Sequence, residues 1–137
     1  MKDPFGIKSI VLICVICLLN SCSNRMHDIE FVNCANDYAS IHFKLNKNGQ
    51  FNLDIIVGPE IGNPDSKEEK LSFNGNWKII RDQIECIFSS PIRGIDNLFP
   101  NWTERKNLIH ILNNKTISLP LDADNLIIFN VACEKSK

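Results

Sequence analysis

The chain has 137 residues, of which 44% are hydrophobic and 23% charged, with 6 Gly and 6 Pro. This is the length of one domain, and the composition is typical of a globular protein and not of a disordered, collagen-like or coiled-coil chain. The 15 basic and 16 acidic side chains leave a net charge of −1. Because there is no basic excess to neutralise phosphates, we expect no nucleic-acid partner.

The N-terminal residues have the layout of an export signal. Two lysines precede an unbroken apolar run, residues 10–19, which ends in Leu19-Asn20-Ser21-Cys22. A membrane-spanning helix needs about 20 apolar residues, whereas this run has the length of a signal-peptide core. The alternatives are an ordinary cleaved signal and an uncleaved anchor. The run is too short for an anchor, and neither alternative accounts for a Cys directly after a small residue.

The residues Leu19, Ser21 and Cys22 resemble the lipobox of bacterial lipoproteins. In that family the Cys sulfur receives a diacylglyceryl group, and cleavage before the Cys makes it the new N-terminus. The resemblance therefore implies a cell-envelope protein that is anchored to the membrane by lipid at Cys22. Ser23 does not match the aspartate signal for inner-membrane retention, which favours the outer membrane. The predicted organisation is a signal peptide (1–21), a lipidated N-terminus and tether (22–30), and a β domain (31–137).

Two hairpins are predicted from alternating apolar and polar residues. The first joins residues 39–45 to 51–57 through an Asn/Gly-rich turn, which is a strong hairpin signal. A polar loop, 58–70, follows, in which Asn63 is placed to cap a single helical turn. The acidic residues of this loop do not match the spacing of a calcium-binding EF-hand. The second hairpin joins residues 71–79 to 84–88.

The C-terminal part of the chain is predicted as further strands. Residues 91–106 read as irregular, residues 107–112 fit either a helix or a strand, and residues 115–119 form a short strand. The run 125–134 reads as one last strand that is apolar on both faces. The predicted fold is thus mainly β, a small antiparallel barrel or sandwich of six to eight strands with room for one short helix. The predicted core consists of Phe43, Phe51, Leu53, Ile55, Trp77, Ile79, Ile84, Phe88, Ile117, Phe129 and Val131.

The segment Gly75-Asn76-Trp77 resembles the G-x-W motif of lipocalins and of lipocalin-like bacterial lipoproteins. The resemblance implies a barrel with Trp77 at one end. It also implies a carrier of a small apolar ligand that contacts Trp77, Phe99 and Trp102. The alternative is that Trp77 is simply a core aromatic residue.

Signals of catalysis are absent from the sequence. It contains no nucleophile elbow, zinc-protease motif, phosphate-binding loop or dinucleotide fingerprint, and no histidine has a metal ligand at a suitable spacing. We therefore expect a protein with a binding or structural role that is not an enzyme and has no metal or cofactor. A further alternative is an inhibitor or immunity-type lipoprotein that binds a protein partner through loops 58–70 and 91–106.

A disulfide between Cys34 and Cys133 is also predicted. Cleavage and lipidation leave three cysteines, and export places them where disulfides persist. The first and last strands of a closed antiparallel sheet are neighbours, which brings Cys34 and Cys133 together. Cys86 lies on a core-facing row, where a buried thiol is expected. The alternative is three reduced thiols.

Overall fold

The computed structural model describes residues 27–33, 38–101 and 107–137. Within these residues the chain forms nine strands and one short helix. They are β1 (Ile29–Asn33), β2 (Ala39–Leu45), β3 (Gln50–Val57), β4 (Glu69–Ile80), β5 (Gln83–Phe88), α1 (Ile95–Leu98), β6 (His110–Asn113), β7 (Thr116–Pro120), β8 (Asn125–Ile128) and β9 (Val131–Lys135).

The strands form one curled sheet that resembles half of a barrel. Its order is β6-β7-β5-β4-β3-β2-β1-β9-β8, and neighbouring strands are antiparallel throughout. The prediction of a mainly β, barrel-like antiparallel fold is confirmed, although the described residues contain nine strands, where six to eight were expected. The first and last strands, β1 and β9, are neighbours, as the sequence also predicts.

The first predicted hairpin is formed by β2 and β3. Leu45 pairs with Phe51 across the turn, and the Gly49 N–H donates to the Asn46 carbonyl oxygen at 3.0 Å. Gly49 has a φ of +83°, a left-handed conformation that glycine adopts without steric cost. The second predicted hairpin is present as β4 and β5. The alternation of apolar and polar residues therefore located both hairpins.

The prediction of a single strand over residues 125–134 is wrong. β8 ends at Ile128, β9 begins at Val131, and the chain reverses at Phe129-Asn130. Both turn residues have positive φ, 51° and 62°, as in the two-residue type I′ turn that matches the twist of paired strands. The continuous apolar run concealed this turn. Only one of the two central residues of the turn, Asn130, is of a type that commonly forms turns.

Three local features of the loops differ from or resolve the predictions. The loop 58–68, described throughout, contains no helix, but Asn63 caps a single turn: its side-chain oxygen accepts the Asp65 N–H at 3.2 Å, and its carbonyl oxygen accepts the Ser66 N–H at 3.1 Å. The ambiguous run 107–112 contains the start of a strand, β6, at His110. The short helix lies in the stretch that was predicted to be irregular.

Nine of the eleven predicted core residues are buried on the inner face of the sheet. The prediction is wrong for Ile79, which is 39% exposed, because β4 continues past the first residue of β3 at this point. Phe129 is only partly buried, because it lies in the turn between β8 and β9. The core also includes side chains of the connecting segment after β5, which folds over the inner face: Ile92, Ile95, Leu98, Phe99 and Ile109.

Gly75 makes room for an aromatic contact. It is paired with Phe51 on one side and with Phe88 on the other, and the two rings meet edge to face across it at 5.1 Å. A Cβ atom at this position would lie 2.0 Å from the Ile87 carbonyl oxygen and 2.8 Å from the Phe51 ring. The glycine of the G-x-W segment is thus required by packing within the sheet.

The sheet has two ends, which we name by their connections. The hairpin end contains the β2–β3 and β4–β5 turns and the first residue of β1, since Ile29 pairs with Leu45. The loop end contains the loop 58–68, the segment after β5 and the β8–β9 turn. Because β1 begins at Ile29, the last two residues of the predicted tether belong to the sheet.

Asn107 links the two edge strands of the described sheet. It precedes β6, and its buried side chain bonds the backbone of β8: Nδ2 donates to the Ile127 carbonyl oxygen at 2.6 Å, and Oδ1 accepts the Ile127 N–H at 3.2 Å. Two further bonds tie the same amide to the Pro100 carbonyl oxygen and the Ile109 N–H. The gap between β6 and β8 is therefore bridged by a side-chain amide.

Candidate ligand-binding groove

An open groove of about 470 Å³ lies at the loop end of the sheet. It is bounded by the first half of β4, the end of β5, the segment 89–98 and the β8–β9 turn. Its apolar lining consists of Leu71, Phe73, Phe88, Ile92, Leu98 and Phe129. Pockets that hold small molecules have volumes of about 300–1,000 Å³ and are mostly apolar, and the groove meets both conditions.

The floor of the groove is held by a chain of aromatic rings. The ring of Phe88 is buried and packs edge to face against Phe51 at 5.1 Å, and it packs against Phe99 at 6.2 Å. On the groove side it meets Phe73 edge to face at 6.2 Å. Phe73 itself is only partly buried. The floor is therefore fixed by the core, while the wall on β4 keeps apolar surface open to solvent.

Phe129 forms the opposite wall. Its left-handed backbone turns the chain at this residue, and its N–H donates to the Leu98 carbonyl oxygen at 2.7 Å, which joins the turn to the end of α1. Its ring stacks in parallel on that of Tyr38, with centroids 6.1 Å apart. Two contacts from different parts of the chain thus hold the Phe129 ring at the groove.

The segment 89–98 forms the third side, and its sequence explains its shape. Pro91 cannot donate to a sheet ladder and follows the end of β5. Ile92, Ile95 and Leu98 recur at every third residue and are all buried, and the Ile92 N–H donates to the Asn114 carbonyl oxygen at 2.7 Å. This spacing leaves Arg93 exposed beside the groove.

The rim of the groove is polar and carries one positive charge. Arg93 and Asn97 contribute to the lining, which contains no acidic side chain in the part of the chain that the structure describes. Arg93 takes part in none of the ion pairs formed among the described residues. Across the groove, the Ser89 hydroxyl donates to the Asn74 side-chain oxygen at 2.6 Å. The rim therefore suits a ligand with an uncharged or anionic polar group.

The ligand contacts predicted from the sequence do not form one site in the described residues. Trp77 lies at the hairpin end, where its indole N–H donates to the Asn46 carbonyl oxygen at 2.8 Å and only 5% of its surface is exposed. Phe99 is buried behind Phe88 and does not line the groove. Trp102 lies outside the described residues.

The other predicted sites concern cysteines. Cys22 and Cys34 lie outside the described residues. Cys133 is buried in β9, directly opposite Asn33 of β1.

The groove residues that sequence reasoning missed are Phe73, Arg93 and Phe129. Phe73 was assigned to a hairpin, but nothing in the pattern showed that its end of the strand stays uncovered. Arg93 carries no local signal, since its position depends on the fold of the segment around it. For the positive φ of Phe129, the sequence offers one weak signal of a turn, which is the Asn that follows it.

Two titratable groups of the described residues, Cys86 and His42, lie outside the lining of the groove. Burial, with a smaller effect of the neighbouring Glu85 carboxylate, raises the pKa of the Cys86 thiol far above its usual range, so this thiol is a poor nucleophile. The exposed His42 ring contacts the Glu30 carboxylate on the sheet surface, away from the groove. The described residues contain no cluster of three or more His, Cys, Asp or Glu side chains that could hold a metal ion.

Within 27–33, 38–101 and 107–137, no helix is long and apolar enough to cross a bilayer.

Comparisons with known proteins add no relative: no family model matches the chain, and no significant match is found among the curated proteins or the solved structures.

Proposed function

We propose that this protein is a lipid-anchored protein of the bacterial envelope whose β domain holds a small ligand with an apolar body. The observation that carries the proposal is the groove of about 470 Å³ at the loop end, with its aromatic floor and partly exposed apolar walls. Its volume lies within the range of small-molecule sites, about 300–1,000 Å³. The anchor is supported by the lipobox-like residues Leu19, Ser21 and Cys22.

The charge of the rim narrows the class of ligand. Arg93 is the one charged side chain that lines the described groove, and a guanidinium binds carboxylates and phosphates through paired N–H groups. The apolar walls would accept a hydrocarbon chain. The ligand we propose is therefore amphipathic, with a carboxylate at one end, as in a fatty acid.

A protein partner is the second candidate function, and one residue favours it. Ile61 is fully exposed at the tip of the loop 58–68, where its whole side chain is available for contact. The other loop assigned to a partner, 91–106, supports this function less, since its described part buries Ile92, Ile95, Leu98 and Phe99 in the core. A partner would therefore bind mainly through the loop 58–68.

Photolabelling of the full chain in membranes tests the ligand site. A photoactivatable fatty acid is added, and labelled peptides are mapped by mass spectrometry. We expect labels in peptides from β4, the segment 89–98 and the β8–β9 turn. Phe73→Ala should reduce the labelling at least tenfold, because burying such a side chain against a ligand contributes about 1.5–3 kcal/mol and about 1.4 kcal/mol corresponds to a factor of ten. The matched control, Ile61→Ala, also removes an apolar side chain but lies outside the groove, and should label normally.

The head group is tested with a fatty alcohol that carries the same photoactivatable chain. Arg93→Gln should weaken labelling by the fatty acid up to about fivefold, the effect of an exposed ion pair worth at most about 1 kcal/mol. Labelling by the alcohol should not change. Labels spread evenly over the surface, or an equal loss with Ile61→Ala, would contradict the groove as the site. The intact mass of the membrane-extracted protein tests the anchor: a chain that begins at Cys22 and carries acyl groups is expected.

A further inference from the structure

The β4–β5 hairpin projects beyond its neighbour at the hairpin end of the sheet. Gln50, the first residue of β3, pairs with Asn76, so β4 continues for four residues, to Ile80, past the start of β3. The β2–β3 turn reaches the level of Trp77, whose N–H donates to the Gly49 carbonyl oxygen at 2.8 Å. The three residues from Lys78 to Ile80 therefore extend about 10 Å past it, at about 3.3 Å per residue. The tip of this hairpin is therefore among the outermost parts of the hairpin end.

The tip carries exposed apolar side chains. Ile79 and Ile80 are 39% and 42% exposed, and Leu121 is 36% exposed. Leu121 lies at the same tip, because its N–H donates to the Asp82 carbonyl oxygen of the β4–β5 turn at 2.9 Å. Ile79 and Ile80 are neighbours in a strand and lie on opposite faces of the hairpin, so apolar side chains flank the tip on both sides. We call these three residues the tip patch. Its position at the outer end of the sheet makes it accessible to a flat surface.

The chain also enters the sheet at this end. Asp28, the residue before β1, is held at the β2–β3 turn: its carboxylate accepts the Lys47 N–H at 2.8 Å and lies 3.5 Å from the Lys44 ammonium. Five residues lie between Cys22 and Asp28, so their Cα atoms are six residue steps apart. Fully extended, this connection spans at most about 20 Å.

This short connection restricts how the domain can face an anchored membrane. Asp28 lies level with Asn76, because Ile29, Leu45, Phe51 and Gly75 pair in one row across the sheet. From Asn76 back to Glu69, next to the loop 58–68, β4 spans about 23 Å, which is more than the reach of the connection. If Cys22 is anchored, the loop end cannot touch the bilayer with the hairpin end pointing away from it. The tip patch is the apolar surface that the connection brings close to the lipid.

We propose that the tip patch, Ile79, Ile80 and Leu121, rests in the interface of the lipid bilayer to which Cys22 is anchored, with the groove facing away from the membrane. The proposal rests on the lipid anchor of the proposed function. A tethered domain needs few apolar contacts to hold one orientation, because the tether raises the local concentration of its surface at the bilayer. Apolar side chains buried at the headgroup boundary are the usual means of such binding.

The charges at the tip indicate that the contact is apolar. Lys78 lies 3.4 Å from Glu85, and Arg81 is followed by Asp82, so the tip has no uncompensated basic cluster. Electrostatic attraction to anionic lipid is screened by salt within about 10 Å at 0.1 M. We therefore expect the contact to persist in high salt and on uncharged lipid.

Tryptophan quenching by brominated lipid tests the orientation. The full chain, extracted from bacterial membranes, is reconstituted into phosphatidylcholine vesicles with or without brominated acyl chains. Ile80→Trp places a probe in the tip patch, and Ile61→Trp places a matched probe at an exposed isoleucine of the loop end. The emission of the unsubstituted chain, from Trp77 and Trp102, is subtracted. Most of the emission added by Ile80→Trp should be lost in brominated vesicles, at low and high salt, while that added by Ile61→Trp should remain.

The possible outcomes separate this proposal from the proposed function. If neither probe is quenched, or both are quenched equally, the orientation is wrong, even where the intact mass confirms acylation of Cys22. A concentration-dependent shift of the Ile80→Trp emission in detergent, without quenching by lipid, would mean that a second copy of the chain covers the patch, and would also overturn the proposal. If the mass shows no acyl group but Ile80→Trp is selectively quenched, the membrane surface is correct and the anchor is wrong.

Discussion

The amide of Asn107 should stabilise the sheet strongly, and removing it gives a sharp test of the fold. Asn107→Ala deletes four hydrogen bonds, two of them to the backbone of Ile127 in the edge strand β8. Each such bond contributes about 0.5–1.5 kcal/mol, and a buried group left without a partner costs about 1–3 kcal/mol. Since the bonds made by one side-chain amide are not independent and the 3.3 Å bond is long, we expect a loss of about 3 kcal/mol.

The measurement is thermal and urea unfolding of the full chain. For a domain of this size the expected loss corresponds to a fall of about 10–15 °C in Tm. Asn125→Ala is the matched control, because Asn125 is exposed on the same edge strand, and it should change stability by less than about 0.5 kcal/mol. Hydrogen exchange of the Ile127 amide should accelerate in Asn107→Ala. Equal stability of the two variants would refute the bridge between the sheet edges.

Four further predictions concern packing, pH and the thiols. Gly75→Ala should destabilise the domain by about 1–3 kcal/mol or more in urea unfolding, because the added Cβ meets a backbone oxygen at 2.0 Å. The Lys47 N–H, which donates to the Asp28 carboxylate, and the nearby Lys44 ammonium lower the pKa of Asp28. The stability that this carboxylate contributes should be present above its usual pKa of 3.8 and be lost as the pH falls below it, which unfolding of Asp28→Asn against pH would show. Iodoacetamide should label Cys86 only in unfolded protein, because burial raises its pKa. Peptide mapping without reductant should recover Cys34 and Cys133 in one bridged peptide pair, and alkylation of both would exclude the disulfide.

The predictable part of this fold is the part where one local pattern decides the structure. Both hairpins were found because alternation and turn chemistry agree at Asn46–Gly49 and between β4 and β5. The same alternation identified nine of the buried core residues. It failed at Ile79, since alternation gives the face of a strand but not how far the neighbouring strand extends. Relative strand lengths depend on register, which the sequence pattern does not contain.

The groove was beyond prediction because each of its walls depends on a tertiary contact. Phe129 belongs to an apolar run that is also compatible with one continuous strand, and the turn that places its ring beside Tyr38 is stabilised by a bond to Leu98, 31 residues earlier. Phe73 alternates like any core residue, and it stays partly exposed only because the segment 89–98 covers the sheet incompletely.

The two ends of the sheet differ in a way that connects the groove to the anchor. The hairpin end combines the start of β1 with the tip patch, and the loop end combines the groove with the exposed Ile61. This separation follows from antiparallel pairing, because a strand that begins at one end of the sheet has its following connection at the other end. If the chain is anchored at Cys22, as we propose, it presents the loop 58–68 and the groove away from the bilayer. A ligand or partner of the loop end would then bind from the aqueous space of the envelope. A soluble competitor, such as a fatty acid bound to albumin, should therefore reduce the photolabelling of the groove when it is added from that side of the membrane.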